Sequence, residues 1–293
     1  MSDVSVQWML VRMLARGDVL LCSAIAHEIV KRDPRAKVLF QTQYPELFAR
    51  NPDVAEAGPD VKFSNCPGST GNRFCNLNLV IVERFSNTHL IDGFAMGAGF
   101  PAGTCGHHTV FVLPRLIECE QIAAQLDLPL NKKYVILAPG PGQWPGRNWS
   151  ERNWVLLNQH IQSLGYATVL VGTSQFGAYP SLKPDLDLRD KTSVDNLAVA
   201  LSQASLFIGI DSFPAHLAAN LCPRIVLFGV TKPEFILSDA ANTESVCSDP
   251  KHPLTGLRHR VNTMRDISLS SPRDNPMETI KVEVVIDTCR KFI

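Results

Sequence analysis

The sequence predicts an α/β fold made of two doubly wound domains with parallel sheets. Short apolar runs typical of buried parallel strands alternate along the chain with segments whose apolar residues recur at helical spacing. This alternation occurs twice, and the polar, proline-containing residues 127–133 separate the two series. We therefore predict an N-terminal domain over residues 1–130 and a C-terminal domain over residues 131–293.

The first series contains predicted strands at residues 8–14, 37–41 and 77–82. Predicted helices cover residues 19–31, 45–50, 89–96 and 117–126. A tight loop is expected at residues 15–18, just before the first helix. Residues 59–76 and 97–108 are rich in glycine and other turn-forming residues, which predicts loops.

The second series contains predicted strands at residues 134–138, 167–171, 206–210 and 224–228. Helices are expected at residues 194–203, at residues 279–292, and around an apolar face formed by Trp154, Leu157, Ile161 and Leu164. Residues 139–147 form a loop rich in glycine and proline, and residues 240–275 show no regular pattern.

Residues 206–222 form a strand that turns at once into a helix. Asp211 and Ser212 are good N-cap residues, and Pro214 falls in the first helical turn, where its missing N–H costs little. Such a turn places backbone N–H groups and the positive end of a helix dipole at the carboxyl edge of a sheet. This arrangement favours binding of a phosphate or diphosphate group.

Composition narrows the range of partners and compartments. The formal net charge is zero, so no overall field favours nucleic acid or an anionic membrane, and the basic residues between Arg258 and Arg265 are interpreted as a solvated loop. No signal peptide and no membrane-spanning apolar run are visible. The eight cysteines lack C-x-x-C spacing, which indicates a reducing cytoplasm without disulfides or a zinc site.

Several motifs, in order, resemble one family. Residues 211–218 (DSFPAHLA) are similar to the D-[ST]-G-x-x-H-L-[TA] signature of glycosyltransferase family 9, the ADP-heptose:lipopolysaccharide heptosyltransferases. Residues 227–233 (LFGVTKP) resemble its L-F-G-x-T-x-P, and residues 147–154 (RNWSERNW) resemble its K-x-W-P-x-x-x-W. Gly17-Asp18 and Lys191-Thr192-Ser193 also stand where the family has similar residues. The resemblance covers residues 8–40 and most of residues 134–236.

The resemblance implies a GT-B fold, in which two Rossmann-like domains face a cleft. The nucleotide-sugar donor would bind to the C-terminal domain and the acceptor to the N-terminal one, and the C-terminal helix would cross back to the N-terminal domain. The resemblance also implies an inverting transfer that needs neither a metal ion nor another cofactor. In agreement with this, we expect neither a D-x-D motif nor a His/Cys/carboxylate cluster that would hold a metal ion on the diphosphate.

The family pattern assigns candidate roles to some residues, and position in the predicted strands, helices and loops suggests others: Gly140, Gly142 and Gln143 in the loop after the first strand of the C-terminal domain, Arg12 in the first strand, and His89 and Asp92 on one helical face. Asp18 would be the general base, and Arg147 and His216 would stabilise the leaving diphosphate. The expected donor-binding residues are Gly140, Gly142, Gln143, Thr192, Asp211, Ser212, Phe213, His216 and Thr231. The expected acceptor-binding residues are Arg12, Gly17, His89 and Asp92.

Each role has a structural alternative. Asp18 could be an N-cap of the helix from Val19, and Arg147 a solvated loop charge. The further alternatives are an edge charge for Arg12, a surface pair for His89 and Asp92, a turn residue for Thr231, and a capping pair with a buried histidine for Asp211, Ser212 and His216.

Phe213 departs from the family pattern, which has glycine at this position. Glycine permits a positive φ and a close approach of backbone to phosphate. A phenylalanine therefore requires a different turn or a displaced donor, and its ring could pack on a sugar or a base. This residue leaves the identity of the donor open.

The leading hypothesis is a cytoplasmic glycosyltransferase that moves a heptose or related sugar from an NDP-sugar, expected to be ADP-linked, to a hydroxyl of the lipopolysaccharide core. Because the chain is shorter than is usual in the family, another glycan, a protein or a modified nucleic-acid base stays open as acceptor. A catalytically inactive nucleotide-sugar-binding scaffold is the alternative. An NAD-dependent oxidoreductase is disfavoured, since the G-x-G-x-x-G fingerprint is missing.

The expected partners are therefore a nucleotide-sugar donor and a glycan or glycolipid acceptor. No strong nucleic-acid signal is present, and membrane contact would be at most peripheral, at the inner face. The sequence does not predict an oligomeric state.

Overall fold

A computed structural model describes residues 6–63, 71–79, 88–140, 146–174, 179–256 and 274–293. The chain divides into two compact units. The first unit comprises Met1–Val112 and Phe235–Asp239, and the second comprises Leu113–Glu234 and Ala240–Ile293. Of the helices within the described ranges, none is long and apolar enough to cross a membrane.

The first unit is built on a four-stranded parallel sheet with the order β3-β2-β1-β4. Its strands are β1 (Gln7–Val11), β2 (Lys37–Gln41), β3 (Glu56–Gly58) and β4 (Arg73–Asn76). Its helices are α1 (Arg16–Leu21), α2 (Ser23–Arg32) and α3 (Leu90–Gly97), with short 3₁₀ helices at Pro45–Phe48 and Leu77–Leu79. The strand order reverses between β1 and β4, which creates a switch point at their carboxyl ends.

The second unit is built on a six-stranded parallel sheet with the order β10-β9-β8-β5-β6-β7. Its strands are β5 (Tyr134–Ala138), β6 (Ala167–Leu170), β7 (Leu186–Asp187), β8 (Leu206–Ile210), β9 (Arg224–Phe228) and β10 (Thr243–Cys247). The helices are α4 (Leu116–Gln125), α5 (Glu151–Ser163), α6 (Val194–Ser202), α7 (Phe213–Leu217) and α9 (Val282–Cys289), and α8 (Pro233–Ile236) leads into the segment that joins the first unit. The order reverses between β5 and β8.

The core of the second unit lies between its sheet and helices α5 and α9. Every residue of β5 and β8 is buried, as expected for central parallel strands. Trp149 and Trp154 pack edge to face with ring centroids 5.1 Å apart, and the Trp149 indole N–H donates to Ile280 O at 2.9 Å. These tryptophans are core residues.

The C-terminal helix does not cross back as expected. Helix α9 packs on α5 through Val285 and Cys289, and the chain from Ala240 to Ile293 stays in the second unit. The segment that joins the first unit is instead Phe235–Asp239.

The second unit also begins earlier in the chain than the predicted boundary after residue 130. It starts at Leu113 because helix α4 contacts α6. The polar residues 127–133, predicted as the linker between the two domains, therefore join α4 to β5 within one unit. The contact of α4 with α6 thus places α4 in the second unit in spite of the linker-like composition of residues 127–133.

The predictions failed mainly at edge strands. Residues 77–79 form a 3₁₀ helix rather than the start of a strand, and residues 80–82 lie outside the described ranges. The edge strand β4 lies inside the predicted loop 59–76, and β10 lies inside the region without a pattern. Both have exposed residues and lack a continuous apolar run, because an edge strand has a neighbour on one side only. The short strands β3 and β7 were also missed.

The predicted end of the loop at residue 18 is also wrong, because the helix begins within residues 15–18. Ala15 adopts a left-handed conformation (φ 62°) and helix α1 starts directly after it, at Arg16. Gly17 and Asp18 thus lie within the first turn of a helix. The predicted helix 19–31 is divided at Cys22 into α1 and α2.

Candidate functional site

The switch point of the second unit lies between β5 and β8. In parallel α/β sheets, ligands bind outside the carboxyl ends of the strands at such a point. Gly140 follows the end of β5 with φ 74°, and Asp211 directly follows β8. The carboxyl ends of β5 and β8, at Gly140 and Asp211, are therefore the natural place for a ligand in this unit.

Four predicted site residues meet at this edge. Arg147 Nη2 lies 3.0 Å from Asp211 Oδ2, and Arg147 Nη1 donates to Asp211 O at 3.0 Å. The Thr231 hydroxyl donates to Asp211 Oδ2 at 2.8 Å, and His216 Nε2 lies 3.7 Å from Asp211 Oδ1. Asp211, His216 and Thr231 are buried, and the Arg147 side chain is 13% exposed. Asp211 is the centre of this polar cluster, and Arg147 is not a solvated loop charge.

Two glycines bring the parts of the cluster together. Gly146 has φ 76°, and a Cβ there would lie 2.4 Å from Val230 Cγ1. A Cβ on Gly229 would lie 2.2 Å from Gly146 O. Only glycine fits this close approach, which places Arg147 next to the segment carrying Thr231. Our sequence reasoning missed both glycines, although they stand in the motifs of residues 147–154 and 227–233 or directly before them.

The turn after β8 differs from the expected capping arrangement. Ser212 occupies the N-cap position of α7, but its hydroxyl donates to Ile210 O at 3.2 Å and accepts no capping hydrogen bond. The Asp211 carboxylate contacts side chains of the polar cluster. Phe213 is the first residue of α7 and has helical backbone. Because its φ is not positive, phenylalanine fits this turn without the strain that a left-handed position would impose.

The remaining donor-site candidates are more dispersed. Thr192 is half-buried in the loop before α6 and follows β7, the edge strand at the opposite end of the sheet from β10. Gly142 and Gln143 lie outside the described residues.

The metal expectation overlooked one sequence pattern, Asp185-Leu186-Asp187, which has the D-x-D spacing of two carboxylates. In the structure, Asp185 Oδ2 accepts from the Thr168 N–H at 2.9 Å and from Gln162 Nε2 at 2.9 Å. Asp187 is bound by the Arg189 guanidinium at 2.7 Å. Burial raises the pKa of the Asp185 carboxyl, but its hydrogen bonds to Gln162 and Thr168 outweigh this and lower the pKa below its usual value. The hydrogen bond with Arg189 lowers the pKa of Asp187. Within the described ranges, no group of three His, Cys, Asp or Glu side chains could hold a metal ion.

The switch point of the first unit carries Arg12 and Asp18. Arg12 follows β1, and Asp18 lies in the first turn of α1, where a carboxylate interacts favourably with the helix dipole. The two side chains form an ion pair, with Arg12 14% and Asp18 24% exposed. Asp18 is not an N-cap, because that position belongs to Ala15. Arg12 is bound to Asp18 and is not an isolated edge charge.

His89 and Asp92 do not form the expected surface pair, because both are buried. His89 is the N-cap of α3: its Nδ1 accepts from the Ile91 N–H at 3.1 Å, and its Nε2 lies 2.9 Å from Leu237 O. Since Nδ1 accepts, the ring proton is on Nε2, which donates to Leu237. His107 stacks on His89 with ring centroids 3.7 Å apart and lies 2.9 Å from Asp92. This cluster holds the segment Phe235–Asp239 on the first unit.

Burial lowers the pKa of His89, and this outweighs the opposite effects of the hydrogen bond to Leu237 and of Asp92 and Asp239. The neighbouring His107 lowers the pKa further. A protonated ring would also point a second N–H at the Ile91 N–H, so the neutral ring is the form that the structure accommodates.

We predict that acid destabilises the chain in part through His89. Because its folded-state pKa is lowered, the unfolded chain binds the proton more tightly, so stability is lost as the pH falls below about 6.5 and is constant above it. The slope from this group is at most about 1.4 kcal/mol per pH unit. His89→Asn keeps a capping oxygen but does not titrate. Urea unfolding between about pH 5 and 7.5 should give a shallower slope for the variant; equal slopes would contradict the assignment.

Two parallel α/β units, each with polar residues at a switch point, are the architecture expected of the class of GT-B glycosyltransferases. Comparison with solved structures agrees. The glycosyl transferase family 9 structure from Veillonella parvula DSM 2008 has a TM-score of 0.73 at 15% identity and covers 100% of this chain and 98% of that chain. E. coli ADP-heptose lps heptosyltransferase II has a TM-score of 0.72 at 13% identity, with 98% of both chains covered. The predicted fold class is confirmed.

The profile of glycosyltransferase family 9 (heptosyltransferase) matches residues 113–262, just over half of the chain. The chain therefore belongs to this family. Lipopolysaccharide heptosyltransferase 3 of Escherichia coli (strain K12) is 29% identical in an alignment 143 residues long, which covers 45% of this chain and 41% of that protein. The match thus spans about two fifths of the length of this curated relative. The polar cluster of Arg147, Asp211, His216 and Thr231 lies within the residues that match the family.

Proposed function

We propose that the chain is a glycosyltransferase that moves a heptose from ADP-heptose to a hydroxyl group of the lipopolysaccharide core. Membership of glycosyltransferase family 9 supports the reaction class. The names of the E. coli relatives, lipopolysaccharide heptosyltransferase 3 and ADP-heptose lps heptosyltransferase II, support this donor and acceptor. We place the protein in the cytoplasm, with peripheral contact to the inner face of the membrane where a glycolipid acceptor would be reached.

The observation that carries the proposal is the Arg147–Asp211 pair at the carboxyl edge of β5 and β8. Asp211 holds the guanidinium through its carboxylate and its carbonyl oxygen, both at 3.0 Å. A cation fixed in this way needs little further ordering to bind a diphosphate, and a mostly buried position strengthens the attraction. His216 lies beside the same carboxylate. The donor diphosphate would bind to Arg147 and His216.

The other donor contacts follow from the family pattern. Backbone groups at Gly140 and Gly142, with the Gln143 side chain, would contact the phosphates, and Thr192 would border the ribose or base. Ser212 and Thr231 would complete the donor site with Asp211. Phe213, which is half-buried at the start of α7, would pack its ring on the sugar or the base.

The proposed reaction is one inverting displacement. Asp18 takes the proton of the acceptor hydroxyl, the acceptor oxygen attacks the anomeric carbon, and the bond between that carbon and the diphosphate oxygen breaks. ADP leaves with the additional negative charge, which Arg147 and His216 stabilise in the role that a metal ion fills elsewhere. The proton ends on Asp18, and one displacement inverts the configuration at the anomeric carbon.

The acceptor would bind to the first unit near Arg12, Gly17 and Asp18. We leave His89 and Asp92 out of the acceptor site. Their side chains are buried and hold the start of α3, the loop at Gly103 and the segment Phe235–Asp239. Their role is to maintain the first unit.

A thermal-shift experiment tests the donor. We expect ADP and ADP-heptose to raise the Tm, and UDP, GDP and CMP to raise it less. A ligand at a free concentration of 100 times its Kd adds about 2.7 kcal/mol to the free energy of unfolding, which raises the Tm by several degrees for units of this size. Mass spectrometry of lipopolysaccharide core incubated with ADP-heptose tests transfer. If nucleotides raise the Tm but no heptose is added to the core, the chain is a nucleotide-sugar-binding scaffold. If no nucleotide raises the Tm, the proposed donor site is contradicted.

A further inference from the structure

Arg12 occupies a central place in the first unit. It is the first residue after β1, and its backbone N–H donates to Gln41 O at 3.1 Å, at the end of β2. Its Nη1 donates to Leu77 O at 3.2 Å, just beyond the end of β4. Arg12 therefore links the carboxyl ends of the three neighbouring strands β2, β1 and β4 at the switch point.

The guanidinium is fixed in its orientation as well as in its position. The guanidinium carbon lies over the Phe94 ring, 5.2 Å from the ring centroid, and Phe94 is fully buried in α3. One edge is bound to Leu77 O, and Nη2 contacts Asp18 Oδ2. A planar cation held on one face and at two nitrogens has little freedom to rotate.

The contact with Asp18 leaves the two carboxylate oxygens in different surroundings. Oδ2 is bound to Arg12, whereas within the described residues Oδ1 accepts no hydrogen bond, and the side chain is 24% exposed. Binding one oxygen to a fixed group determines the plane of the carboxylate and therefore the direction of the other oxygen. A general base acts only when its oxygen is within hydrogen-bond reach of the proton it removes.

We propose that Arg12 is a positioning residue that orients the Asp18 carboxylate and directs Oδ1 toward the acceptor hydroxyl. This inference rests on the proposed function, in which Asp18 is the general base. Lysine at position 12 keeps the positive charge but cannot bind Leu77 O and Asp18 with a rigid fork. Charge alone is therefore not sufficient, and Arg12→Lys loses the orientation of the base.

A double-mutant cycle tests the proposal. The kcat and the donor KM are measured for heptose transfer by the wild type, Arg12→Lys, Asp18→Asn and the double variant. Arg12→Lys should lower kcat about 10- to 100-fold with the donor KM nearly unchanged, as expected for a misplaced catalytic group. In the Asp18→Asn background the same change should cost nothing further, because two residues that act as one unit are not additive.

Arg32→Lys is the matched control. Arg32 also pairs with a carboxylate, Glu28, at 2.6 Å and lies over an aromatic ring, Phe100, at 5.3 Å, so it should keep full kcat. Arg12→Gln is measured alongside Arg12→Lys, so that a folded variant at position 12 is available if the other one unfolds. Circular dichroism and the Tm show which variants are folded.

The outcomes are distinct. If the kcat of the double variant falls by the product of the two single losses, Arg12 has a purely structural role and the proposal is overturned. An unchanged kcat in the folded variants at position 12 would also overturn it. An active Asp18→Asn variant, or a wild type without transfer, would overturn the proposed function, and the positioning role would fall with it.

Discussion

Asp18→Asn is expected to lower the kcat for heptose transfer by about 10²- to 10⁴-fold, the usual contribution of a general base. Asparagine has nearly the same shape, so the first unit should stay folded, but its amide cannot accept the acceptor proton. ADP binding should be unchanged, because in our proposal the donor contacts lie in the second unit. The measurement is a single-turnover assay with ADP-heptose, alongside the ADP-induced shift in Tm.

Asp33→Asn is the control for this variant. Asp33 lies in the same unit and also faces an arginine, with Arg35 Nε 3.6 Å from its Oδ1, but it follows α2 at the surface. Its replacement should leave kcat unchanged. Equal turnover by Asp18→Asn and the wild type would remove Asp18 from the mechanism.

Arg147→Gln is expected to have the second large effect, on both donor use and stability. Loss of the cation should lower kcat/KM by about 10²- to 10³-fold, similar to the removal of one group that stabilises developing charge. Asp211 is buried and would lose two charge-assisted contacts, which costs about 1–3 kcal/mol of unfolding free energy. Steady-state kinetics and urea unfolding measure the two effects.

Arg189→Gln separates these effects. Arg189 is 15% exposed, similar to Arg147, and binds Asp187 at 2.7 Å, so it forms an arginine–aspartate pair in the same unit, although Asp187 is 38% exposed. We expect it to lose stability while kcat/KM changes much less. If both variants lower kcat/KM equally, the loss at Arg147 reflects general destabilisation and not binding of the diphosphate.

The central strands and the family motifs were predictable because they depend on neighbours in the chain. Strands β5, β8 and β9 are buried apolar runs, and such runs are recognisable without a structure. Asp18, Arg147 and Asp211 were predicted as site residues because each lies in a motif. The edge strands β4 and β10 were not found, since burial on one side leaves no continuous apolar run.

The contacts between distant residues were not predictable in the same way. The Arg147–Asp211 contact joins residues 64 positions apart, and it depends on the sheet order that places β5 next to β8. The close approach of Gly146 and Gly229 has the same origin. Burial of His89 depends on Leu237, which is 148 positions away and returns to the first unit.

Local spacing thus predicted the α/β class and the central strands, because strand and helix periodicities are properties of a short stretch of chain. The resemblance of short motifs to glycosyltransferase family 9 predicted Asp18, Arg147 and Asp211 as members of the candidate site. Folding in three dimensions established their relations: Arg12 bound to Asp18, Asp211 at the centre of the polar cluster, and the C-terminal helix packed on α5. These relations follow from the order of the strands in each sheet and from the packing of elements far apart in the chain. Neither the strand order nor the packing can be predicted from the periodicity of a single segment.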